Sequence, residues 1–256
     1  MSEPYTPQEL MVAVASREIR DGDLVFVGIR LPMLAYAVAR SSHAPSTRGL
    51  FEVGLMRDQA ASAFLGTMGD PPNVTGALWA TRMSNAMALM AQGGVDLGFI
   101  GSAEVDRFGN LNTSYIGDPG KPRVKLPGSG GGADIAILSR RWVTLMSHER
   151  RRLVERVSFI TSPGHGDGTR GWRKRNRLLG GGPSAVITTL GVLRFPEQGG
   201  EAYLASVHPG HTVNEVLENT GWALQVSADV SETSAPTAAE LTAIRRFDPN
   251  GFWTHG

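Results

Sequence analysis

Glu52 stands in Leu50-Phe51-Glu52-Val53-Gly54, at the end of a short apolar run that closes on glycine. An ionised acid in apolar surroundings is unfavourable unless it is paired or used, because removing its charge from water costs free energy. Partial desolvation also favours nucleophilic use of a carboxylate. The plainer reading is an acid that has reached solvent at a strand end, and the residue alone leaves both open. A second segment, Gly128-Ser129-Gly130-Gly131-Gly132-Ala133-Asp134, strings together backbone N–H groups with little side chain between them. Such a loop can bind an anion or a developing oxyanion, because glycine lets a ligand come close to the backbone. It can equally be a flexible connector. A third segment, Gly28-Ile29-Arg30-Leu31-Pro32, places a cation beside a glycine after another apolar run.

These segments need elements to hold them. Thr6-Pro7-Gln8-Glu9 is a capping box with proline at the first helical position, so a helix is expected from there to Arg20, stopped by Gly22. Strands are expected at 24–27, 50–53, 97–100, 135–138, 143–146, 157–160, 186–189 and 203–207. Helices are expected from Pro32 to about Ser41 and over 82–91, 212–219 and 237–247, the last opened by a second box, Thr237-Ala238-Ala239-Glu240. Early alternation of strand and helix argues for parallel pairing, and the consecutive strands later on argue for a mixed sheet. The expected fold is α/β: a single domain over 1–256 with an open, mostly parallel mixed sheet flanked by helices, and room for a β-rich subregion near 139–210. Ligands of such sheets bind outside the carboxyl ends of the strands, where the three segments fall.

Other patterns narrow the chemistry. The chain has 256 residues, 41% hydrophobic and 19% charged, with net charge +1, so no sequence-wide field points to nucleic acid or a membrane surface. It has no cysteine, which removes disulfides, thiolate nucleophiles and Cys-based metal sites and fits a reducing compartment. The polar N-terminus lacks the basic start and apolar core of a secretory signal, and no run approaches the ~20 apolar residues of a membrane span, so a cytoplasmic protein is expected. His148, His165, His208 and His211 lack metal spacing, and no metal is expected. The stretch from Glu104 to Asn112 reads as a structural turn, not a calcium loop. The glycine run is no Walker loop, since no Gly-Lys-Ser/Thr follows; with a strand expected after it, it is no dinucleotide fingerprint either. Two arginine-rich stretches, 140–152 and 170–177, could hold a ligand's phosphates, face a partner, or be solvated surface; the last is the plainer reading.

Together these motifs resemble, over nearly the whole chain, the β subunits of the class I CoA-transferase family, of the glutaconate type. Tyr5-Thr6 and the first helix, then Gly28-x-x-Leu31-Pro32, look like the opening of those subunits. Glu52-x-Gly54-Leu55-Met56 is similar to the family's Glu-x-Gly motif. Val105-Asp106-x-x-Gly109-Asn110-x-Asn112, Ile116-Gly117-Asp118 with Gly128-Ser129-Gly130-Gly131, His148-Glu149-x-Arg151-Arg152, Thr161-Ser162-Pro163-Gly164 and Leu217-Glu218-Asn219-Thr220-Gly221 follow in the same order. Each motif is weak alone; their order and spacing carry the resemblance.

The resemblance implies an acyl-CoA:carboxylate CoA-transferase with Glu52 as the attacking carboxylate and a glutamyl-CoA thioester as intermediate. It implies Gly28, Ser129, Gly130 and Gly131 in the oxyanion and CoA region, and Arg30 and Gly54 in the substrate pocket. Coenzyme A would enter as the acyl-CoA substrate, with no permanently bound cofactor, and an α subunit would complete an α2β2 or larger assembly. Arg30 departs from the pattern, standing where relatives have a small residue; it either clamps a second carboxylate or faces solvent. Residues 57–72 depart as well, which bears on acyl specificity. On the same fold, acyl-CoA hydrolysis with C–C ring opening, or decarboxylation of acyl-CoA diacids, is the alternative. A CoA- or nucleotide-binding regulatory subunit is a further, non-enzymatic one.

Overall fold

The computed structural model describes residues 4–255. In chain order the elements are α1 (Pro7–Arg17), β1 (Leu24–Val27), α2 (Leu31–Ser41), β2 (Arg48–Phe51), β3 (Leu55–Arg57), α3 (Pro71–Val74), β4 (Trp79–Ala80), α4 (Met83–Ala91), β5 (Leu97–Ile100), β6 (Glu104–Asp106), β7 (Leu111–Asn112), β8 (Tyr115–Ile116) and β9 (Val124–Lys125). They continue with α5 (Gly132–Leu138), β10 (Arg141–Met146), β11 (Leu153–Val154), α6 (Trp172–Arg175), β12 (Pro183–Thr188), β13 (Gly191–Arg194), β14 (Tyr203–Val207), α7 (Val213–Glu218), β15 (Gln225–Glu232) and α8 (Ala238–Phe247). The chain forms two compact units: one runs through Phe99 and resumes at Ala235, and the other is Ile100–Ser234.

In the first unit β1 pairs in parallel with β2 on one side and β5 on the other, while β3 and β4 continue antiparallel from β2. All four residues of β1, Leu-Val-Phe-Val, are buried, as a strand covered on both faces requires. Gly49 of β2 makes room for the Tyr36 ring of α2: a Cβ there would lie 2.7 Å from Tyr36 Cζ. The Tyr36 hydroxyl then donates to the Arg57 carbonyl at 2.9 Å, tying α2 to β3. Helices α1 and α8 are joined at both ends through their capping boxes. Glu9, which reaches back to the Thr6 N–H, also accepts from Arg245 at 2.8 Å; Glu240, which reaches back to Thr237, accepts from Arg17 at 2.7 and 2.8 Å. Burial pushes the Glu9 carboxyl up, but the Arg245 hydrogen bond and the Thr6 N–H outweigh it and hold it below its ordinary pKa.

In the second unit β10 and β12 are parallel, β12, β13 and β14 run antiparallel, and β15 returns parallel to β14. Smaller pairings join β6 to β11 and β7, and β8 to β9. Strand and helix alternate with parallel and antiparallel pairing, the α/β mixed-sheet architecture expected from the sequence.

Three local expectations are corrected. Residues 135–138 form the end of helix α5 and not a strand. An apolar run this short carries no period that separates the two; here Arg173 Nη2 donates to the Ala136 carbonyl at 2.6 Å and anchors the turn. Residues 157–160 form no strand: Phe159 and Ile160 are exposed, and no ladder pairs them. The second strand ends at Phe51, so Glu52 and Val53 lie in the following turn.

The second unit buries neutral histidines. His208 donates from Nε2 to the Thr188 carbonyl at 2.8 Å, and His148 is hydrogen-bonded to the Thr188 and Thr220 hydroxyls. Burial pushes the pKa of His148, His165 and His208 down to about 4. The unfolded chain therefore takes up protons before the folded one does. Stability is fully present above the unfolded pKa of 6.5 and falls as pH drops toward about 4. Urea unfolding followed from pH 7 to 4.5 should show stability falling by several kcal/mol, with an upper bound on the order of 3 kcal/mol per histidine. His148→Gln should flatten that slope; an unchanged slope would contradict the assignment.

Candidate active site

Phe51↔Leu55 is the last ladder pair between β2 and β3, so residues 52–54 form a three-residue hairpin loop. The Gly54 N–H donates to the Phe51 carbonyl at 2.9 Å, and Gly54 has φ +95°. A left-handed residue at the third loop position is the usual solution for this loop length. Space imposes a second demand: a Cβ on Gly54 would lie 2.4 Å from the Thr81 carbonyl oxygen and 2.7 Å from the Arg82 carbonyl carbon. Thr81 N–H in turn donates to the Gly54 carbonyl at 2.8 Å, bracing the loop on the chain that enters α4. The Glu-x-Gly spacing is thus fixed by backbone geometry.

Glu52 is the first residue of this loop, half-buried between buried Phe51 and exposed Val53. Its carboxylate has no hydrogen-bond or ion-pair partner among the described residues. The parallel register Val27↔Phe51 makes Gly28 and Glu52 the next residues at one edge, outside the carboxyl ends of β1 and β2. Gly28 is packed closely there: a Cβ would be 3.2 Å from the Phe99 carbonyl oxygen.

Arg30 turns the chain from β1 into α2 with φ 72° and ψ −128°, a conformation natural only to glycine. Holding a side chain there costs on the order of 1–3 kcal/mol, and such strain clusters at functional sites. Arg30 is exposed and its guanidinium lies 5.5 Å from the Trp253 ring centroid. No carboxylate binds it among the described residues. Trp253 is itself fixed, donating from its indole to the Leu65 carbonyl at 2.9 Å and from its backbone to Asp248 Oδ2 at 2.9 Å. Trp253 was invisible to sequence reasoning, since it stands at the far end of the chain and only the fold brings it to Arg30.

Gly28, Arg30, Glu52 and Gly54 therefore belong to the first unit, and Ser129, Gly130 and Gly131 to the second. There, Ser129 and Gly130 are exposed and Gly131 is buried as the N-cap of α5. The Gly132 N–H donates to the Ser129 carbonyl at 2.9 Å, closing a turn, and Gly130 has φ +47° with open space around it. The loop leads into a helix, so a following strand is no ground for setting aside a dinucleotide fingerprint. The fingerprint is still absent in structure, because the loop leaves the two-residue β9 of an antiparallel ribbon and not a strand of a parallel βαβ unit.

The segment from Glu104 to Asn112 is a buried hydrogen-bonded turn. Asp106 Oδ1 accepts from the Phe108 and Asn110 N–H groups, each at 3.0 Å, and Asn110 Oδ1 accepts from Gly164 and Gly166. Burial raises the Asp106 pKa against these hydrogen bonds. Among the described residues no cluster of His, Asp or Glu could hold a metal ion. Nor is any helix long and apolar enough to cross a membrane.

Comparison with known proteins adds five findings. A family model described as Coenzyme A transferase matches residues 9–219. The β subunit of 3-oxoadipate CoA-transferase from Pseudomonas knackmussii is 39% identical over 254 residues, covering 98% of this chain and 96% of that one. The β subunit of glutaconate CoA-transferase from Acidaminococcus fermentans is 35% identical over 252 residues, covering 96% and 93%. The crystal structure of that organism's glutaconate CoA-transferase superposes with a TM-score of 0.91 at 32% identity, covering all of both chains. The decarboxylase AibA/AibB superposes at 0.83 with 34% identity over 97% of each chain.

The turn geometry makes a direct prediction. Gly54→Ala meets both a positive φ and a backbone clash, and should lower unfolding stability by about 2 kcal/mol or more. Gly130→Ala meets only the backbone term and should cost about 1 kcal/mol. Denaturant titration of the two variants checks the ranking; equal losses would contradict it.

Proposed function

The chain belongs to the coenzyme A transferase family, and from that membership we propose that it is the β subunit of a heteromeric acyl-CoA:carboxylate CoA-transferase whose nucleophile is Glu52. CoA transfer is the activity of its family and of the 3-oxoadipate and glutaconate relatives, and such enzymes take CoA thioesters as substrates. The observation that supports Glu52 is its half-buried, unpartnered carboxylate on a doubly constrained turn at the ends of parallel strands. A carboxylate bound by arginine or backbone N–H groups would be stabilised in its ground state; this one is available to react.

In the proposed cycle a Glu52 carboxylate oxygen attacks the acyl-CoA carbonyl carbon. The oxyanion collapses, the C–S bond breaks, and CoA thiolate leaves behind an acyl-glutamyl anhydride. The thiolate attacks the glutamyl carbonyl and expels the donor carboxylate, giving a glutamyl-CoA thioester. An acceptor carboxylate then attacks that thioester, and the same steps in reverse return Glu52 and release the new acyl-CoA. No net proton moves. Gly28, Ser129, Gly130 and Gly131 are proposed to supply backbone donors to the oxyanion and CoA region. An α subunit is the proposed partner, as the relatives' designation as one subunit of a heteromeric enzyme implies, in an α2β2 or larger assembly.

Arg30 is proposed to clamp the distal carboxylate of a dicarboxylic acyl group. Its guanidinium lies 5.5 Å from the Trp253 ring centroid with no protein carboxylate bound among the described residues, and a planar guanidinium suits bidentate binding. The decarboxylase relative keeps decarboxylation on this fold as the second reading.

In the enzyme assembled with its α subunit, Glu52→Gln should lower kcat by on the order of 10³-fold or more while leaving acyl-CoA binding, measured by calorimetry, within a few-fold. Retained turnover would remove Glu52 from the chemistry. Arg30→Gln should raise KM for dicarboxylic substrates about tenfold or more and leave monocarboxylic ones within about two-fold. Equal effects on both would contradict the clamp.

A further inference from the structure

A cavity of about 790 Å³ built by α6 and its flanking loops opens in the second unit, within the size range of small-ligand sites. Arg170, Lys174 and Arg177 line it, all exposed, and none of their side chains has a hydrogen-bond or ion-pair partner among the described residues. Glu197 is the one carboxylate in the lining, so cations outnumber anions at the mouth. Arg177 holds a left-handed backbone with φ 57°, a strained choice for a long side chain.

The wall behind these residues is charged as well. Arg173 is only 6% exposed. It donates from Nε to the Gly180 carbonyl at 2.9 Å, from Nη1 to the Pro163 and Gly164 carbonyls at 2.8 and 2.9 Å, and from Nη2 to the Ala136 carbonyl at 2.6 Å. Every one of these acceptors is neutral. Buried charges in proteins are ordinarily matched by an opposite charge, because carbonyl dipoles satisfy the donors without cancelling the field. His165, 5% exposed, also lines the cavity, and its Nε2 has no partner among the described residues. The four cations therefore focus a positive potential into a space whose lining offers one carboxylate, Glu197, against them.

We propose that this cavity binds a phosphorylated small molecule of nucleotide size, with Arg170, Lys174 and Arg177 on its phosphates and Arg173 supplying the field behind them. The phosphates could come from the nucleotide end of a CoA ester or from a free nucleotide; both present the same chemistry. The site stands on the charges of this unit and does not depend on Glu52 being the nucleophile.

Calorimetric titration of the assembled enzyme with ADP, at low and at physiological salt, tests it. ADP should bind, bind more weakly as salt rises, and lose at least about tenfold in affinity in a variant carrying Lys174→Glu and Arg177→Glu. The variant's unchanged melting temperature shows that the fold is intact, and the single Arg170→Gln variant, with a smaller loss, serves if it is not. ADP that raises the KM for acyl-CoA identifies the cavity as the seat of the CoA nucleotide. ADP that binds without changing that KM identifies a separate nucleotide site. Absence of ADP binding, or equal binding by wild type and variants, overturns the proposal.

Discussion

At Gly54 two independent constraints meet. The three-residue loop between β2 and β3 needs a left-handed backbone at its last position, and the chain entering α4 passes so close that even a methyl group would overlap its carbonyls. The loop can therefore neither lengthen nor swing without losing the hydrogen bond from Thr81 to Gly54. That rigidity fixes the position of Glu52, two residues earlier. For the role proposed for Glu52, a carboxylate held on packed backbone needs less ordering when substrate arrives, and pre-paid ordering of this kind lowers barriers.

The treatment of acids across the molecule gives this constraint its chemical meaning. Glu9 and Glu240 are held by arginines and by their own capping boxes, and Asp106 is surrounded by donors from Phe108 and Asn110. Asp248 is engaged by the N–H groups of Phe252, Trp253 and Thr254. Each of these carboxylates does structural work through its partners. Glu52 is left without one among the described residues, on a turn that the packing has made rigid. Arg30 is the cationic counterpart: its backbone is strained, its ring partner Trp253 is fixed, and its charge has no protein anion among the described residues.

Much of this was legible in the residues. The capping boxes at Thr6 and Thr237 form as expected, because the pattern encodes hydrogen bonds local to four residues. The buried run 24–27 also follows from local chemistry, and Gly54 closes the second strand region as expected, although the turn already begins at Glu52. What was not legible depends on tertiary contact. The run 135–138 has the composition of a strand and becomes helix, with a distant arginine gripping its carbonyl. Residues 157–160 are apolar but for Ser158, yet find no partner strand. The approach of Arg30 to Trp253, and the uncompensated charge of Arg173 behind an arginine stretch that reads as solvated surface, arise only from folding.

Covalent use of Glu52 is the point on which the functional account turns. Peptide mass spectrometry of this chain, assembled with its α subunit and incubated with a panel of acyl-CoAs that includes glutaconyl-CoA and acetyl-CoA, examines it directly. The account predicts a CoA-sized, borohydride-sensitive adduct on the peptide containing Glu52. Consumption of acyl-CoA with that peptide unmodified would contradict transfer through Glu52 and favour decarboxylation or hydrolysis on the same fold.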